Sequence, residues 1–257
     1  RFRMFINRKP FVTPIMNPEK IARRSPRWVS QPQLLEMLVK KAADFPCFSL
    51  LRGTRVKNLL FENGHVTGVA TDTHGNLRSD LVVGCDGRTS IVRAKSGIQA
   101  QADPLPMDIV WLKLRCQPCI DNNSLHLYIG RGRLVVIAPT YDGCIQLGFI
   151  IPKGSFKNLR ELGIKALLDL IAAYVDPEVA ETLSNVNFKD ARPFLLSTVS
   201  DRADEWSRPG ILLLGDAAHT MSPVGGQGLN IAIRDAIVAA NHLIPAFEKP
   251  LNTHSLL

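Results

Sequence analysis

The chain has 257 residues, 46% hydrophobic and 21% charged, with a formal net charge of +8. That balance fits one large globular domain or two interleaved ones and excludes a disordered chain. No apolar run approaches the roughly 20 residues of a membrane helix, and no signal peptide is visible. The basic residues are scattered and not interleaved with aromatics, which argues against a nucleic-acid partner and suits a phosphate-bearing small molecule. The five cysteines are an odd number in a long chain, which points to a reducing, cytoplasmic compartment. The first residue is Arg1, so residues ahead of it are expected in the natural product.

Residues 1–30 contain Pro10, Pro14, Pro18 and Pro26 and the basic group Arg23, Arg24 and Arg27, and read as irregular chain with one short strand. Gln31 to Ala43 is an amphipathic helix with Pro32 in its first turn and Leu34, Leu35, Leu38 and Ala42 on a buried face. Residues 55–78 alternate and turn at Asn63-Gly64 and His74-Gly75, which predicts an antiparallel ribbon. Leu81 to Asp86 reads as a strand buried on both faces and ending in a carboxylate. A short helix closed by Gly97 follows it.

From Met107 the pattern changes to alternating strands around 112–116, 125–129, 133–138 and 144–151, an antiparallel sheet. Leu159 to Val175 reads as one helix ended by Pro177, with Leu162 on its buried side, and Phe188 to Val199 as a long strand. Cys116-Gln-Pro-Cys119 has redox spacing, and with His126 it offers three metal ligands, one short of a structural zinc site. A chance pair of small apolar residues is the plainer reading.

The segment Ile211 to Ala236, ILLLGDAAHTMSPVGGQGLNIAIRDA, organises the rest. Four apolar residues form a buried strand, and Gly215-Asp216 puts a carboxylate at its carboxyl end, where open α/β sheets bind ligands. Pro223 stiffens the loop. Gly225, Gly226 and Gly228 leave bare amides at the start of a helix from Leu229, whose positive dipole end favours a partner with negative charge. Pro245 and Pro250 are expected to break the chain after Leu243.

Gly215, Asp216, Ala217, Ala218, His219, Pro223, Gly225, Gln227, Gly228, Asn230 and Asp235 stand at the spacing of one family. The chain resembles the FAD-dependent aromatic-ring monooxygenases, the para-hydroxybenzoate hydroxylase-like flavoproteins. GCDGRTSIVR similarly resembles that family's Asp-Gly motif, with Asp86, Gly87, Ser90 and Arg93 in place. The resemblance covers roughly residues 25–244 and omits the family's opening strand, Gly-x-Gly-x-x-Gly and helix.

The resemblance implies an α/β fold. An FAD/NAD(P)-binding Rossmann-like domain, incomplete at its N-terminus, would occupy residues 31–100 and 200–257. It would interleave with an antiparallel-sheet substrate domain of residues 1–30 and 101–199, whose sheet roofs the flavin. FAD would be the cofactor, NAD(P)H the reductant, and an aromatic or polyketide-like small molecule the substrate, hydroxylated through a flavin hydroperoxide. Asp216 would meet the ribityl chain and Pro223 the ring system. Gly226, Gln227, Gly228, Leu229 and Asn230 would line the pyrimidine edge with Gly225 as a further cofactor-binding residue, Asp86 would lie near the pyrophosphate, and Val56 near the adenine.

Other residues keep two readings. Gln31 either meets FAD or simply opens its helix. Arg88 and Arg93 suit phosphate, while Arg93 could equally pair with Asp86. His219 suggests a general base, but a structural role is the stronger reading, and no substrate-side acid or base identifies itself. Tyr128, His126, Arg115 and Gln146 are candidates only as residues of the roof strands. The competing functions are a halogenase, whose Trp-x-Trp-x-Ile-Pro signature is absent from this sequence, a prenyl reductase, or a non-catalytic binding module.

Overall fold

In the computed structural model the described residues are 2–11, 29–115, 120–121, 124–187, 191–223 and 225–248. The first elements are β1 (Phe2–Ile6), β2 (Lys9–Phe11), α1 (Gln31–Ala42), β3 (Val56–Glu62), β4 (His65–Thr71), β5 (Asn76–Arg78) and β6 (Val82–Gly84). There follow α2 (Ile91–Ser96), β7 (Ala100–Asp103), β8 (Met107–Leu114), β9 (Leu125–Gly130), β10 (Arg133–Pro139) and β11 (Ile145–Pro152). Helices α3 (Phe156–Glu161), α4 (Gly163–Ala172) and α5 (Pro177–Ser184) precede β12 (Phe194–Leu196), β13 (Ser200–Ala203), β14 (Ser207–Arg208) and β15 (Ile211–Leu213). A 3-10 turn (Gly215–Ala217), β16 (His219–Thr220) and α6 (Gly228–Phe247) complete the set.

These elements form two compact units, Arg1–Ser49 with Pro106–Ser197 and Leu50–Leu105 with Thr198–Leu257. Residues 31–49, which the sequence reading attached to the cofactor part, fall in the first unit. That unit is built on a seven-stranded sheet in the order β12-β8-β11-β10-β9-β1-β2. All its pairings are antiparallel except β1 with β9. Asn7 and Arg8, both at positive φ, make the two-residue turn that folds β2 back on β1, so the basic N-terminal stretch supplies two strands where one was expected.

Alternation along the strands sorts this sheet into two faces. Val110, Leu112 and Leu114 on β8, Val135 and Ile137 on β10, and Ile145, Leu147, Phe149 and Ile151 on β11 are buried with Leu167, Leu168 and Ile171 of α4. Each such side chain contributes roughly 1.5–3 kcal/mol by leaving water, which makes this the dominant core. The expected long helix at 159–175 is broken at Gly163, whose φ of 86° ends α3, and Leu162 beside the break is exposed instead of buried. Pro177 does not merely end a helix but opens α5, with Asp176 as its cap.

His126 and Tyr128 project to the helix-covered face, where both are buried, whereas Gln146 lies on the opposite face beside Lys113 and Ala138. Of the four roof candidates, His126 and Tyr128 are therefore core groups. The expected strand 188–199 shortens to β12, its residues 188–190 lying outside those described. Cys116 and Cys119 also lie outside them, as do Arg23, Arg24 and Arg27. Among the described residues no group of His, Cys, Asp and Glu is arranged to hold a metal ion.

The second unit contains three small sheets: β3-β4-β5, β14-β15-β6 and β16-β13-β7. The first is the expected ribbon, with Asn63 and Gly64 at positive φ in its tight turn. In the second, β6 and β15 run parallel with Leu213 opposite Gly84, so both chains leave the sheet at the same end. Ile211 and Leu213 are buried, but β6 is shorter than expected and Val83 is 41% exposed, so that strand is covered on one face only. Gly210 is required where it stands. Its φ is 79°, and a Cβ there would meet the Val66 carbonyl oxygen at 2.0 Å, displacing the Val66 N–H bond to Pro209.

Arg93 of α2 braces this unit from inside. Its guanidinium donates to both carboxylate oxygens of Asp201, at 3.4 and 2.8 Å, and to the Ala217 carbonyl at 3.1 Å. Asp201 also accepts from the Thr220 amide at 3.1 Å. Arg93 thus pairs neither with Asp86 nor with solvent, and its guanidinium is committed within the fold. Two apolar stripes do not behave as expected. Neither α1 nor α6 buries a single residue, Leu35 being 59% and Ile237 57% exposed. Helix α6 also runs through Pro245 to Phe247 and does not break there.

Two outcomes follow for stability. Gly210→Ala should lower the urea midpoint more than Gly64→Ala or Gly75→Ala in the ribbon turns, since at Gly210 both φ and the neighbouring atoms oppose a side chain whereas at the other two only φ does. Burial alone would raise the Asp201 carboxyl, but its bonds to Arg93 and Thr220 outweigh that and hold it below the ordinary range. Its contribution is therefore present above the ordinary carboxylate range and lost as pH falls through the lower folded value. Asp201→Asn should cost about 3 kcal/mol at pH 7. The gap to wild type in urea denaturation should narrow steadily in acid.

Candidate functional site

The two strand-end corners are adjacent because β6 and β15 are parallel neighbours. After β6 the chain passes Asp86 and turns at Gly87, φ 81°. Asp86 directs its carboxylate into the start of α2: Oδ1 accepts from Ser90 Oγ at 2.5 Å, and Oδ2 from the amides of Ile91 and Val92 at 2.7 and 3.1 Å. Ser90 Oγ in turn accepts from the Arg93 amide at 2.9 Å. Asp86 and Ser90 are thus a double cap for the first turn, the usual remedy for amides with no intrahelical partner. Asp86 and Val56 also line one groove of about 400 Å3 along the edge of β6, with Val69, Val82 and Val92.

After β15 the chain enters the 3-10 turn at Gly215, φ 58°. A Cβ there would approach the Cβ of Ala232 to 3.1 Å, so glycine lets α6 cross close to the turn. Asp235, on α6, accepts at Oδ2 from the Gly215 amide at 3.0 Å, with His219 Nε2 at 2.7 Å from the same oxygen. The His219 ring stacks on Trp206, with centroids 4.9 Å apart. His219 is thus locked between a carboxylate and an indole, as a structural group. Asp216, next to Gly215, is half-buried, with Arg88 Nε 3.5 Å from its Oδ2. That contact joins the loop after β6 to the loop after β15.

The glycine turn then leads into α6. Gly225 and Gly226 have φ of 92° and 63°, and the Gly226 amide donates to the Pro223 carbonyl at 3.1 Å. No atom lies within 4 Å of where a Cβ would stand on Gly225, Gly226 or Gly228, so the backbone is open to a ligand. Ile231 is the first residue whose amide bonds back, to Gln227 at 3.0 Å, and Gln227 provides no side-chain cap. The first-turn amides of Gly228, Leu229 and Asn230 therefore point out of the helix seeking acceptors. The side chains of Gln227 and Asn230 hold the turn, Asn230 Nδ2 donating to Gln227 Oε1 at 3.2 Å and Gln227 Nε2 to the Gly225 carbonyl at 3.1 Å.

Among the sequence candidates, the structure gathers Asp216, Pro223 and the 225–230 turn on one loop system, and Asp86 and Val56 on one groove of the same unit. Gln31 opens α1 in the other unit, exposed and with no side-chain cap bond from Ser30. Sequence reasoning gave Asp235 no role, although its spacing in the Gly-Asp segment was noted. It also missed Asp201 and Trp206, for which no local pattern exists, since their partners are distant in the chain. An exposed amide-lined turn, a flanking carboxylate with an adjoining guanidinium, and an apolar groove alongside fit a dinucleotide that is anionic in the middle and flat at its ends.

Residues 10–249 match the model of the FAD binding domain family. The chain is 36% identical over 215 residues to the 6-methylpretetramide 4-monooxygenase of Streptomyces rimosus, covering 81% of this chain and 50% of that protein. It is 30% identical over 190 residues to the kynurenine 3-monooxygenase of Stenotrophomonas maltophilia, covering 68% of this chain and 40% of that protein. The chain therefore spans half or less of the length of these curated relatives. The fold matches P. aeruginosa PqsL, solved in complex with 2-aminobenzoylacetate, with a TM-score of 0.80 at 21% identity, over 98% of this chain and 69% of that one. With the family model spanning nearly the whole sequence, this chain belongs to the FAD binding domain family.

Proposed function

We propose that the chain is the flavin-side portion of an FAD-dependent monooxygenase that uses NAD(P)H as reductant and acts on an aromatic or polyketide-like small molecule. The observation that carries this reading is the open Gly225–Asn230 turn, whose outward amides are fixed beside the Asp216 corner through Asp235. The names of the relatives, which pair monooxygenase activity with 6-methylpretetramide and with kynurenine, support the substrate class. The odd cysteine count supports a cytoplasmic setting. Among the described residues no helix is long and apolar enough to cross a membrane.

Bound FAD supplies the electron and oxygen chemistry, and the protein supplies placement and electrostatics. Asp216 would accept a hydrogen bond from a ribityl hydroxyl, with Arg88 beside it as its ion-pair partner. The amides of Gly228, Leu229 and Asn230, with Gly226 and Gln227 shaping the turn, would favour negative charge on the pyrimidine edge of a bound flavin. Pro223 would pack by the ring system with Gly225 on the same turn, Asp86 would lie near the pyrophosphate, and Val56 near the adenine. His219 takes no proton in this scheme and serves to hold the loop.

Titration of FAD into this chain, followed by quenching of flavin fluorescence, should saturate. Asp216→Ala should weaken binding at least tenfold, the worth of one hydrogen bond to a charged acceptor. Equal affinity in the variant would remove Asp216 from the site. Anaerobic addition of NADPH or NADH to the flavin-loaded protein should bleach the oxidised flavin absorbance. Saturable binding without bleaching by either nucleotide would favour a non-catalytic flavin-binding module.

A further inference from the structure

The buried helix-covered face of the seven-stranded sheet holds a continuous polar chain that the flavin chemistry does not use. Asp176, the cap of α5, accepts at Oδ1 from the Val179 amide at 3.0 Å and at Oδ2 from the Tyr128 hydroxyl at 2.6 Å. Tyr128 Oη lies 3.0 Å from His126 Nδ1, and His126 Nε2 lies 3.2 Å from Ser124 Oγ. Ser124 Oγ is also 2.8 Å from the Asp121 carbonyl, which takes the Ser124 amide at 2.8 Å as well. Ser124, His126 and Tyr128 are each at most 5% exposed, so their hydrogen bonds are made within the protein.

Counting hydrogens fixes the states of this chain. The Tyr128 hydroxyl has one proton and gives it to Asp176, so it can only accept from His126, and Nδ1 must carry a hydrogen. In the neutral imidazole Nε2 is then an acceptor, which obliges Ser124 to donate to it. In the charged imidazole Nε2 becomes a donor, and Ser124 accepts from it while donating to the Asp121 carbonyl. Every polar atom keeps a partner in both states, and the change requires only rotation of one hydroxyl. An ordinary buried histidine strands a lone pair or a proton in one of the two states.

We propose that Ser124, His126, Tyr128 and Asp176 form a proton switch: uptake of one proton at His126 Nε2 turns the Ser124 hydroxyl from the imidazole to the Asp121 carbonyl. The added charge stands on the wall of a cavity of about 690 Å3, lined also by Arg3, Arg8, Asp121, Asp176 and Glu178. Charged groups facing the imidazole come from each side: Asp176 at the head of α5, Asp121 ahead of β9, and Arg3 on β1. Burial, and then Arg3, hold the imidazole below its ordinary value, while Asp176 and Asp121 pull the other way. The unfolded chain therefore takes the proton first, and this unit loses stability as pH falls below about 6.5, the unfolded imidazole value.

Nitrogen NMR of the labelled chain tests the switch, with the His126 resonances assigned by their loss in His126→Gln. At neutral pH His126 should show a protonated Nδ1 and a lone pair on Nε2. The opposite tautomer would overturn the proposal. Ser124→Ala should move the His126 midpoint down by about one pH unit, a tenfold loss of proton affinity. An unchanged midpoint would mean that the hydroxyl does not follow the proton. Tyr128→Phe, which keeps the ring stacked on Phe5, should shift the proton to Nε2, and retention of the Nδ1 proton there would also refute the assignment.

Discussion

The candidate site depends on one carboxylate oxygen. Asp235 Oδ2 holds the Gly215 amide and His219 Nε2 together, and so ties the long helix to the turn that follows β15. Without that tie, the first turn of α6 would have no fixed relation to Asp216, since the glycines between them contribute no side-chain packing. The flexibility that lets backbone amides face a ligand is thus offset by a half-buried polar anchor about two turns into the helix. Trp206 stacks on the His219 ring and so fixes the imidazole that meets this carboxylate.

A second anchor works in the same way on the neighbouring loop. Arg93 reaches from α2 to Asp201 and to the Ala217 carbonyl, so the cap built by Asp86 and Ser90 is rigidly linked to the turn carrying Asp216. Both anchors use residues that simple electrostatic reading would assign to the ligand. The residues left facing outward are chiefly backbone amides, together with Asp216 and Arg88. A site of this kind recognises shape and charge through main chain, and side-chain carboxylates and guanidinia hold the frame.

The division between what was legible in the sequence and what was not follows the range of the interactions. The ribbon turn at Asn63-Gly64, the αL stop at Gly97, the alternation on β8 to β11 and the glycine turn before α6 are set within a few residues, and all could be read locally. The break at Gly163 could not. Glycine in a helical pattern is ambiguous until one knows whether the next turn must redirect toward a core, and here Leu167, Leu168 and Ile171 had to meet the sheet. The roles of Arg93, Asp201 and Tyr128 were hidden for a related reason. Their partners lie 108 and 48 residues away, and no spacing rule reaches that far.

The apolar stripes of α1 and α6 show where periodicity and burial part company. Leu34, Leu35 and Leu38, and Leu229, Ile233 and Ile237, recur at helical spacing and do form helices, yet none is buried. Periodicity reports that a face has been selected to leave water, and burial reports whether something is there to receive it. The seven-stranded sheet satisfies both conditions, because α4 and α5 cover one face within the same unit. Helix α1, with 12 residues and an exposed apolar face, gains little beyond its own backbone bonds, whereas the 20-residue α6 is also held through Asp235 and Ala232. The stability of this chain is therefore concentrated in the sheet and its covering helices, while the loops at the ends of β6 and β15 rely on their two polar anchors.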